Sequence, residues 1–371
     1  MKGLYLWWKQ DIILQIITIL SLVSCCFIPF DQNYFSYFDW KTLWLLFSLM
    51  AIVEGIRRQQ CFVWIGNKML ERIKTKRGVV LLLVFLCFFS SMWITNDVAL
   101  IVFVPFGISL LEKVGQRGVI PYVIVFMTIA SNLGSMATPI GNPQNIYLFS
   151  ISGISIGHFF LVVSPYVFIS GVLLLVGILC KYYKKESIKQ EREKIKIEEK
   201  WKVIVYFLLF FLALGTLIFD FSYLLLGCIV IGIFFLVEKE VLKQIDYHLL
   251  CTFFFFFLFV GNVSRFQAFY SFMEQNIKGN EVIASILLSQ MISNVPATMV
   301  LSQYVKQVEP LLIGVNLGGL GTLVASMASL ISYKQLVNRY PEKKKEYLIL
   351  FTKWNIFFLI VLYGAFILLF D

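Results

Sequence analysis

The amino-acid sequence predicts an all-α polytopic membrane protein with two inverted repeats, about nine transmembrane helices, two re-entrant hairpins and two broken helices. Composition is the first reason. Of the 371 residues, 59% are apolar and 15% are charged, whereas a soluble globular chain has about 45–50% apolar and about 25% charged residues. The length of the apolar runs is the second reason. The third is a pattern of polar residues that occurs twice.

The uninterrupted apolar runs have the length that a bilayer requires, which is roughly 20 residues per helix. They lie at about 11–30, 41–56, 159–180, 202–219, 222–238, 246–262 and 346–370. Each of these runs is therefore predicted to be one transmembrane helix.

Further apolar runs are interrupted by Gly, Pro, Asn or Thr, at 79–112, 119–157, 281–305 and 309–333. Backbone groups at such breaks lack helical partners, and a membrane tolerates this only where protein or a watered cavity satisfies them. We expect re-entrant hairpins at 79–112 (the first hairpin) and 281–305 (the second hairpin). Broken helices are expected at 119–157 and 309–333, so the four runs together predict a central polar site.

The basic residues indicate the orientation and explain the net charge of +10 without nucleic acid. Loops rich in Lys and Arg are typical of the cytoplasmic side. This rule places the following segments inside: 57–77, 113–117, 181–202, 239–243 and 334–353. We therefore expect a multi-pass protein of the cell membrane with a cytoplasmic N-terminus and an external C-terminus.

The two halves of the chain share a polar pattern, which predicts a duplicated architecture. Thr95-Asn96 at the tip of the first hairpin resembles Ser293-Asn294 at the tip of the second. Further matches in register are Asn132 with Asn316, Gly134 with Gly318, and Thr138 with Thr322.

This pattern divides the chain into three parts. Residues 1–180 are the first repeat and 222–371 the second, with a charged cytoplasmic linker and an unpaired connecting helix at 181–221. The unpaired helix carries the chain across once more, so the second repeat runs opposite to the first. Inverted repeats with discontinuous helices are typical of secondary transporters.

Asp97 is the sharpest candidate for ion coupling, because an ionisable group inside a membrane is costly and is usually functional. It could bind Na⁺ or exchange a proton. A purely structural alternative is that Asp97 caps the helix that follows it. The matching residue of the second tip is Val295, so the two repeats differ chemically here.

The broken helices offer amide side chains and carbonyls freed by proline, which suit a hard cation such as Na⁺. Candidate ion ligands here are Asn132, Gly134, Asn142, Asn145 and Asn316. Thr138 and Thr322 are candidate substrate ligands at matching positions. The alternative for these segments is tight packing of kinked helices on small residues.

Other chemistries find no support in the sequence. His158 and His248 have no Ser, Cys or metal ligand at a useful spacing, so no catalytic group is predicted. There is no phosphate-binding Walker motif, and no cofactor is expected besides Na⁺ or H⁺ as coupling ion. A passive channel remains an alternative from another class. An intramembrane enzyme would need paired catalytic groups.

The tip motifs resemble those of the ion transporter superfamily, and most closely the citrate-transporter-like permeases. These are related to the divalent anion:sodium symporters and to the arsenite and sodium/proton permeases. Segment 91–96 (SMWITN) is similar to the hairpin of sodium-coupled dicarboxylate carriers, and segment 138–145 (TPIGNPQN) to the unwound helix after it. Asn96-Asp97 is more similar to the arsenite and sodium/proton branch.

The resemblance implies that Thr95, Asn96, Ser293 and Asn294 bind substrate or ions. It also implies an elevator motion, usually in a homodimer. We therefore expect a cation-coupled secondary transporter of a small anion, citrate or another di- or tricarboxylate, by alternating access. Within transport, the alternatives are arsenite or metalloid efflux and Na⁺/H⁺ antiport.

Overall fold

A computed structural model describes residues 8, 11–71, 73–182, 187, 199–219 and 221–370. The elements named in these ranges are all helical. The first half contains α1 (Ile12–Phe27), α2 (Trp40–Arg58), α3 (Cys61–Leu70), α4 (Lys76–Ile94), α5 (Asn96–Lys113), α6 (Ile120–Ser135), α7 (Pro143–Ser152) and α8 (Ile156–Lys181). The second half contains α9 (Lys200–Phe219), α10 (Tyr223–Val237), α11 (Lys239–Lys243), α12 (Tyr247–Val263), α13 (Gln267–Ile277), α14 (Glu281–Ile292), α15 (Asn294–Leu301), α16 (Val308–Gly318), α17 (Met327–Arg339) and α18 (Lys344–Phe370).

Among the described residues, five helical stretches are long and apolar enough to cross a membrane. They are Lys76–Ile94, Arg117–Ser135, Ile156–Lys181, Lys200–Phe219 and Pro341–Leu369. Shorter apolar helices accompany them, including α1, α10 and α12. The predicted all-α polytopic membrane architecture is confirmed, and the protein is a multi-pass membrane protein. The number of crossings, the orientation and the inverted arrangement stay predictions.

Parts of the predicted topology lie outside the described residues. These are most of the charged linker at 181–200, the basic residues Lys2 and Lys9 near the N-terminus, and Asp371 at the C-terminus. The unpaired connecting helix is described as α9.

The interrupted runs break where the sequence predicted. Helices α4 and α5 meet at Thr95, and α14 and α15 meet at Ser293. Helix α6 is separated from α7 by residues 136–142, and α16 from α17 by residues 319–326. Pro143 occupies the first turn of α7. Proline is tolerated there because a backbone N–H at this position has no acceptor within the helix.

Helix α6 forms the centre of the molecule, because all 16 of its residues are buried. Helices α4, α5, α8, α17 and α18 pack around it. This arrangement places the end of α6, near the tip of the first hairpin, deep inside the protein. A polar break at that depth must therefore be satisfied by protein groups or by bound ligand.

A second group of helices flanks this core, with α1 packed on α12 and with α9 and α10 packed on α2. At one end of this group the Arg58 guanidinium lies 2.7 Å from the Glu238 carboxylate, which also accepts a hydrogen bond of 2.8 Å from Tyr206. Lys202 lies 3.7 Å from the same carboxylate. The network therefore joins α2 and α9 to Glu238, which lies between α10 and α11.

Candidate functional site

The two hairpin tips have the same backbone conformation. Thr95 has φ 67° and ψ 152°, and Ser293 has φ 76° and ψ 153°. Such a positive φ is rare for a residue with a side chain and costs of order 1–3 kcal/mol, so it persists only where the surroundings impose it. Both tips are therefore strained in the same way, at residues that the sequence predicted as ligands.

Each tip is tied to the broken helix of its own half by an equivalent backbone hydrogen bond. The Asn96 N–H donates to the Gly141 carbonyl at 3.2 Å, and the Asn294 N–H donates to the Ala325 carbonyl at 2.9 Å. These bonds use a donor of the first helical turn that has no partner within its own helix. Each bond joins the start of a hairpin helix to the unwound stretch of the neighbouring broken helix.

A small cavity lies between the two tips, with room for about one water molecule (≈ 10 Å³). Four helices contribute their first residues to its wall, namely α5, α7, α15 and α17. The lining residues are Asn96, Asp97, Pro143, Gln144, Leu249, Asn294, Val295, Ser326 and Met327. The N-terminus of a helix carries a partial positive charge and unpaired N–H groups, which favour anions. Four such ends around one cavity make a site where negative charge is stabilised.

Asp97 is the one charged residue in this lining. Its Oδ1 atom is buried and has no hydrogen-bond partner among the described residues. The capping alternative does not hold, because α5 begins at Asn96 with Thr95 at the cap position, and Asp97 is therefore the second residue of the helix. An ionisable group buried at membrane depth is costly, so Asp97 is a candidate functional residue.

Behind the cavity, Asn132 at the end of α6 connects the two halves. Its Oδ1 accepts from Asn96 Nδ2 at 3.1 Å and from Ser326 Oγ at 3.0 Å, and its Nδ2 donates to Ser329 Oγ at 3.3 Å. All of these side chains are buried. Asn132 thus holds the first tip against the start of α17.

The matching residue, Asn316 at the end of α16, makes the reciprocal connection. Its Oδ1 accepts from Asn142 Nδ2 at 2.9 Å, and its Nδ2 donates to Asn145 Oδ1 at 2.7 Å. Asn142 is also the N-cap of α7, with Oδ1 accepting from the Asn145 N–H at 2.9 Å. In each half, the segment before the break therefore contacts the start of the segment after the break in the other half: α6 contacts α17, and α16 contacts α7.

Glycine at the predicted position 134, and also at position 141, permits close approach of backbone to backbone. A Cβ on Gly134 would clash with the Phe88 carbonyl oxygen, and a Cβ on Gly141 would clash with the Ser135 carbonyl oxygen. Gly134 therefore packs α6 against α4, next to the first tip. The Gly141 carbonyl also accepts the Asn96 N–H, and whether Gly134 binds an ion stays a prediction.

Thr138 and Thr322 lie beside the hairpins rather than in the cavity lining. The Thr138 hydroxyl donates to the Met92 carbonyl, and the Thr322 hydroxyl donates to the Gln290 carbonyl at 3.4 Å. Each hydroxyl thus contacts the hairpin arm four residues before the tip Asn. Whether either Thr binds substrate stays a prediction.

The cavity brings together the predicted residues Asn96, Asp97 and Asn294, while Thr95 and Ser293 form the tips beside it. Sequence reasoning missed Gln144 and Ser326, which also line it. Both follow a break in an apolar run, and that position was the available signal. Leu249, from the separate helix α12, carried no signal in the sequence.

Comparison with known proteins gives a family for the chain. Residues 5–330 match the family model described as "Citrate transporter". An uncharacterized transporter of Methanocaldococcus jannaschii is 35% identical over 87% of this chain and 88% of its own length. The inner membrane protein YbiR of Escherichia coli is 30% identical over 89% of each chain.

A more distant relative has a more specific name. The silicon efflux transporter LSI3 of rice (Oryza sativa subsp. japonica) is 30% identical over 42% of this chain and 31% of its own length. The match to the family model and the two long alignments agree with the resemblance found in the hairpin motifs. The chain belongs to the citrate transporter family, a family of membrane transporters.

Proposed function

We propose that the chain is a cation-coupled secondary transporter of a small anion, with citrate or another di- or tricarboxylate as the expected solute. The observation that carries the proposal is the convergence of four helix N-termini on one cavity whose lining includes no Lys or Arg. Each N-terminus is equivalent to roughly +0.5 of an elementary charge. An anion would therefore be bound by backbone N–H groups and by the amides of Asn96 and Asn294.

Asp97 is the proposed coupling residue. An anion entering the cavity would meet this carboxylate, and two negative charges at such short range repel each other strongly. A proton or Na⁺ bound at the unpartnered Oδ1 would remove the repulsion. Binding of the cation then favours binding of the anion and the reverse, because such coupling is reciprocal.

The movement that follows binding is proposed to be alternating access between the two sides, as expected for inverted repeats with a midplane site. The cavity has room for about one water molecule, so a carboxylate can enter only after the tips move apart. We place the protein in the cell membrane with its N-terminus inside and its C-terminus outside. A homodimer is expected.

Uptake into proteoliposomes tests the proposal. Radiolabelled citrate and succinate are offered under an imposed Na⁺ gradient and then under a pH gradient. We expect one gradient to drive accumulation by the wild type. Asp97→Asn should lose gradient-driven accumulation while retaining exchange of labelled for unlabelled solute.

Glu240→Gln serves as a matched control, since Glu240 is an exposed carboxylate paired with Lys243 at 2.6 Å and lies outside the cavity lining. This control should behave as the wild type. Wild-type accumulation by Asp97→Asn would contradict the coupling role. Flux at channel-like rates that no gradient couples would instead indicate a passive channel.

A second candidate is efflux of a small oxyacid or metalloid, or Na⁺/H⁺ exchange. Two observations favour it: the small size of the cavity and the similarity to a silicon efflux transporter. A compact solute would need less opening of the tips than citrate. Counterflow of silicate, arsenite and ²²Na⁺ in the same vesicles separates these possibilities. The carboxylate proposal fails if one of these solutes moves while citrate and succinate do not.

A further inference from the structure

A second, larger cavity of about 230 Å³ lies on the side of the molecule that the sequence predicts to be external. We call it the outer vestibule. It lies between the short helix Gln32–Tyr37, α7, α12 and the end of α15. Its lining residues are Ser36, Tyr37, Tyr147, Phe257, Val260, Gly261, Ser264, Met299 and Gln303.

The outer vestibule is polar enough to hold a hydrated solute. Ser36, Tyr37, Ser264 and Gln303 contribute hydroxyl and amide groups to its wall. Beside it, Arg265 donates to the Tyr37 hydroxyl at 3.1 Å and lies 2.8 Å from the Asp31 carboxylate. The lining therefore differs from the mostly apolar lining of three other pockets of the described residues.

The outer vestibule and the tip cavity are adjacent along two helices. On α7, Gln144 lines the tip cavity and Tyr147 lines the vestibule, one turn further on. On α15, Val295 lines the tip cavity and Met299 lines the vestibule, again about one turn further on. Along these two helices the linings of the two spaces are one turn apart, whereas along α12 they are about two turns apart, at Leu249 and Phe257.

The lining of the outer vestibule contains an aromatic pair from two different helices, Tyr147 on α7 and Phe257 on α12. The ring centroids of Tyr147 and Phe257 lie 5.7 Å apart, at 59° to each other. The two residues are 2% and 5% exposed, and Met299 beside them is 1% exposed. The Tyr147 and Ser302 hydroxyls share a hydrogen bond of 2.9 Å, which ties α7 to the residue following α15.

We propose that the outer vestibule is the external end of the solute route and that Tyr147 and Phe257 form its gate. The inference rests on the tip cavity being the proposed solute site. Opening would separate the two rings and break the bond between Tyr147 and Ser302. Because Tyr147 lies on the same short helix as Gln144, movement of the gate and of the cavity wall would be linked.

Site-specific thiol labelling tests the gate without a transported solute. The reporter is Val295→Cys, a buried position in the tip cavity beside Asn294. A membrane-impermeant thiol reagent is added to intact cells, and modification of residue 295 is followed by peptide mass spectrometry. The native cysteines can then remain in place.

Phe257→Ala should raise the rate of labelling from outside by about 2- to 10-fold, because the ring that packs against Tyr147 is removed. Tyr147→Phe keeps the ring and loses only the bond to Ser302, so a smaller increase is expected. Phe168→Ala is the matched control on α8. Its ring is exposed and lies outside the lining of both cavities, so this variant should leave the rate unchanged.

An unchanged labelling rate in both gate variants, each verified as folded by gel filtration, would overturn the gate. So would faster labelling that occurs only from the opposite face, measured with inside-out vesicles. Faster labelling from outside supports the gate even if neither citrate nor succinate is transported. In that case the proposed solute would be wrong and the route would stand.

Discussion

The two hairpin tips have the same backbone conformation but different side-chain chemistry. Thr95 and Ser293 have nearly the same positive φ, and each following Asn makes the same backbone bond to the unwound stretch of its own half. The next residue is Asp97 in the first tip and Val295 in the second. The arms differ as well: 19 and 18 residues in the first hairpin, against 12 and 8 in the second.

The backbone frame of the site is therefore present twice, once in each half, whereas its negative charge is present once, at Asp97. The frame must be held by both halves, because four helix ends have to meet at one point. A second carboxylate across a cavity of this size would repel the first, and the two could not both ionise. One charged tip facing one neutral tip is therefore a consistent arrangement for binding one cation and one anion.

Loss of the tip amides should have the largest effect. We expect Asn96→Ala and Asn294→Ala each to lower transport by about 5- to 150-fold, since buried groups lose donors worth about 1–3 kcal/mol each. The two should differ in stability: Asn96 bonds Asn132 at 3.1 Å, whereas the bond of Asn294 to Ser293 is a long 3.5 Å. Uptake assays and thermal unfolding check both statements.

Exposed Asn338 on α17 offers the control, and Asn338→Ala should match the wild type in both assays. Normal uptake by either tip variant would refute a site built from both tips. Equal melting temperatures of the two tip variants would show that the difference in side-chain hydrogen bonding does not affect stability.

Substitution of the matching glycines Gly134 and Gly318 should destabilise the two halves to different extents. A Cβ on Gly134 would clash with a backbone carbonyl of Phe88, whereas on Gly318 it would meet first the side chain of Ser289. Backbone yields less than a side chain, so Gly134→Ala should destabilise by about 3 kcal/mol and Gly318→Ala by about 1 kcal/mol. Thermal unfolding in detergent gives the order.

Gly364→Ala is the control here, because nothing lies within 4 Å of a Cβ at that position. It should be neutral or slightly stabilising within helix α18. A larger loss for Gly318→Ala than for Gly134→Ala would reverse the comparison.

The reciprocal amides should have an intermediate and nearly equal effect. Asn132→Ala would remove the acceptor of the Ser326 hydroxyl and of Asn96 Nδ2, and Asn316→Ala would remove one acceptor of Asn142 Nδ2 and the donor to Asn145 Oδ1. We expect each to lower the free energy of unfolding by about 2 kcal/mol. Denaturation curves showing a loss for only one of them would mean that the two connections are not equivalent.

The hydroxyl contacts at the hairpin arms should have the smallest effect. Thr138 is buried and donates to the Met92 carbonyl, whereas Thr322 is exposed and its bond to Gln290 is 3.4 Å long. Thr138→Val should cost about 1 kcal/mol of stability and Thr322→Val less than about 0.5 kcal/mol. If Thr322→Val instead abolishes uptake with unchanged stability, Thr322 acts as a substrate ligand.

Much of the helical framework could be predicted from the sequence. The apolar runs at 159–180 and 346–370 appear as α8 and α18. The breaks at Thr95 and Ser293 were also predicted, because Asn and Pro inside an apolar run leave backbone groups that a membrane cannot satisfy. These features depend on local composition and on the thickness of the bilayer, so distant residues are not needed to derive them.

The predicted site residues fared differently according to how far their partners lie along the chain. Asn96 and Asp97 line the cavity together with Asn294, nearly 200 residues away. Thr138 and Thr322 matched each other in the sequence, yet the structure places both against the hairpin arms. A polar residue at a break can face a cavity or its own backbone, and the sequence pattern is the same in both cases.

From the amino-acid sequence alone it follows that this chain is helical, spans a membrane, breaks its helices at paired polar motifs and carries one acidic tip. The folded structure was needed to show that four helix N-termini share one cavity, that Asn132 and Asn316 connect the halves, and that Tyr147 contacts Phe257. The reason is physical. Helix formation in a bilayer follows from local hydrogen bonding, whereas contacts between distant side chains depend on which faces of the helices pack together.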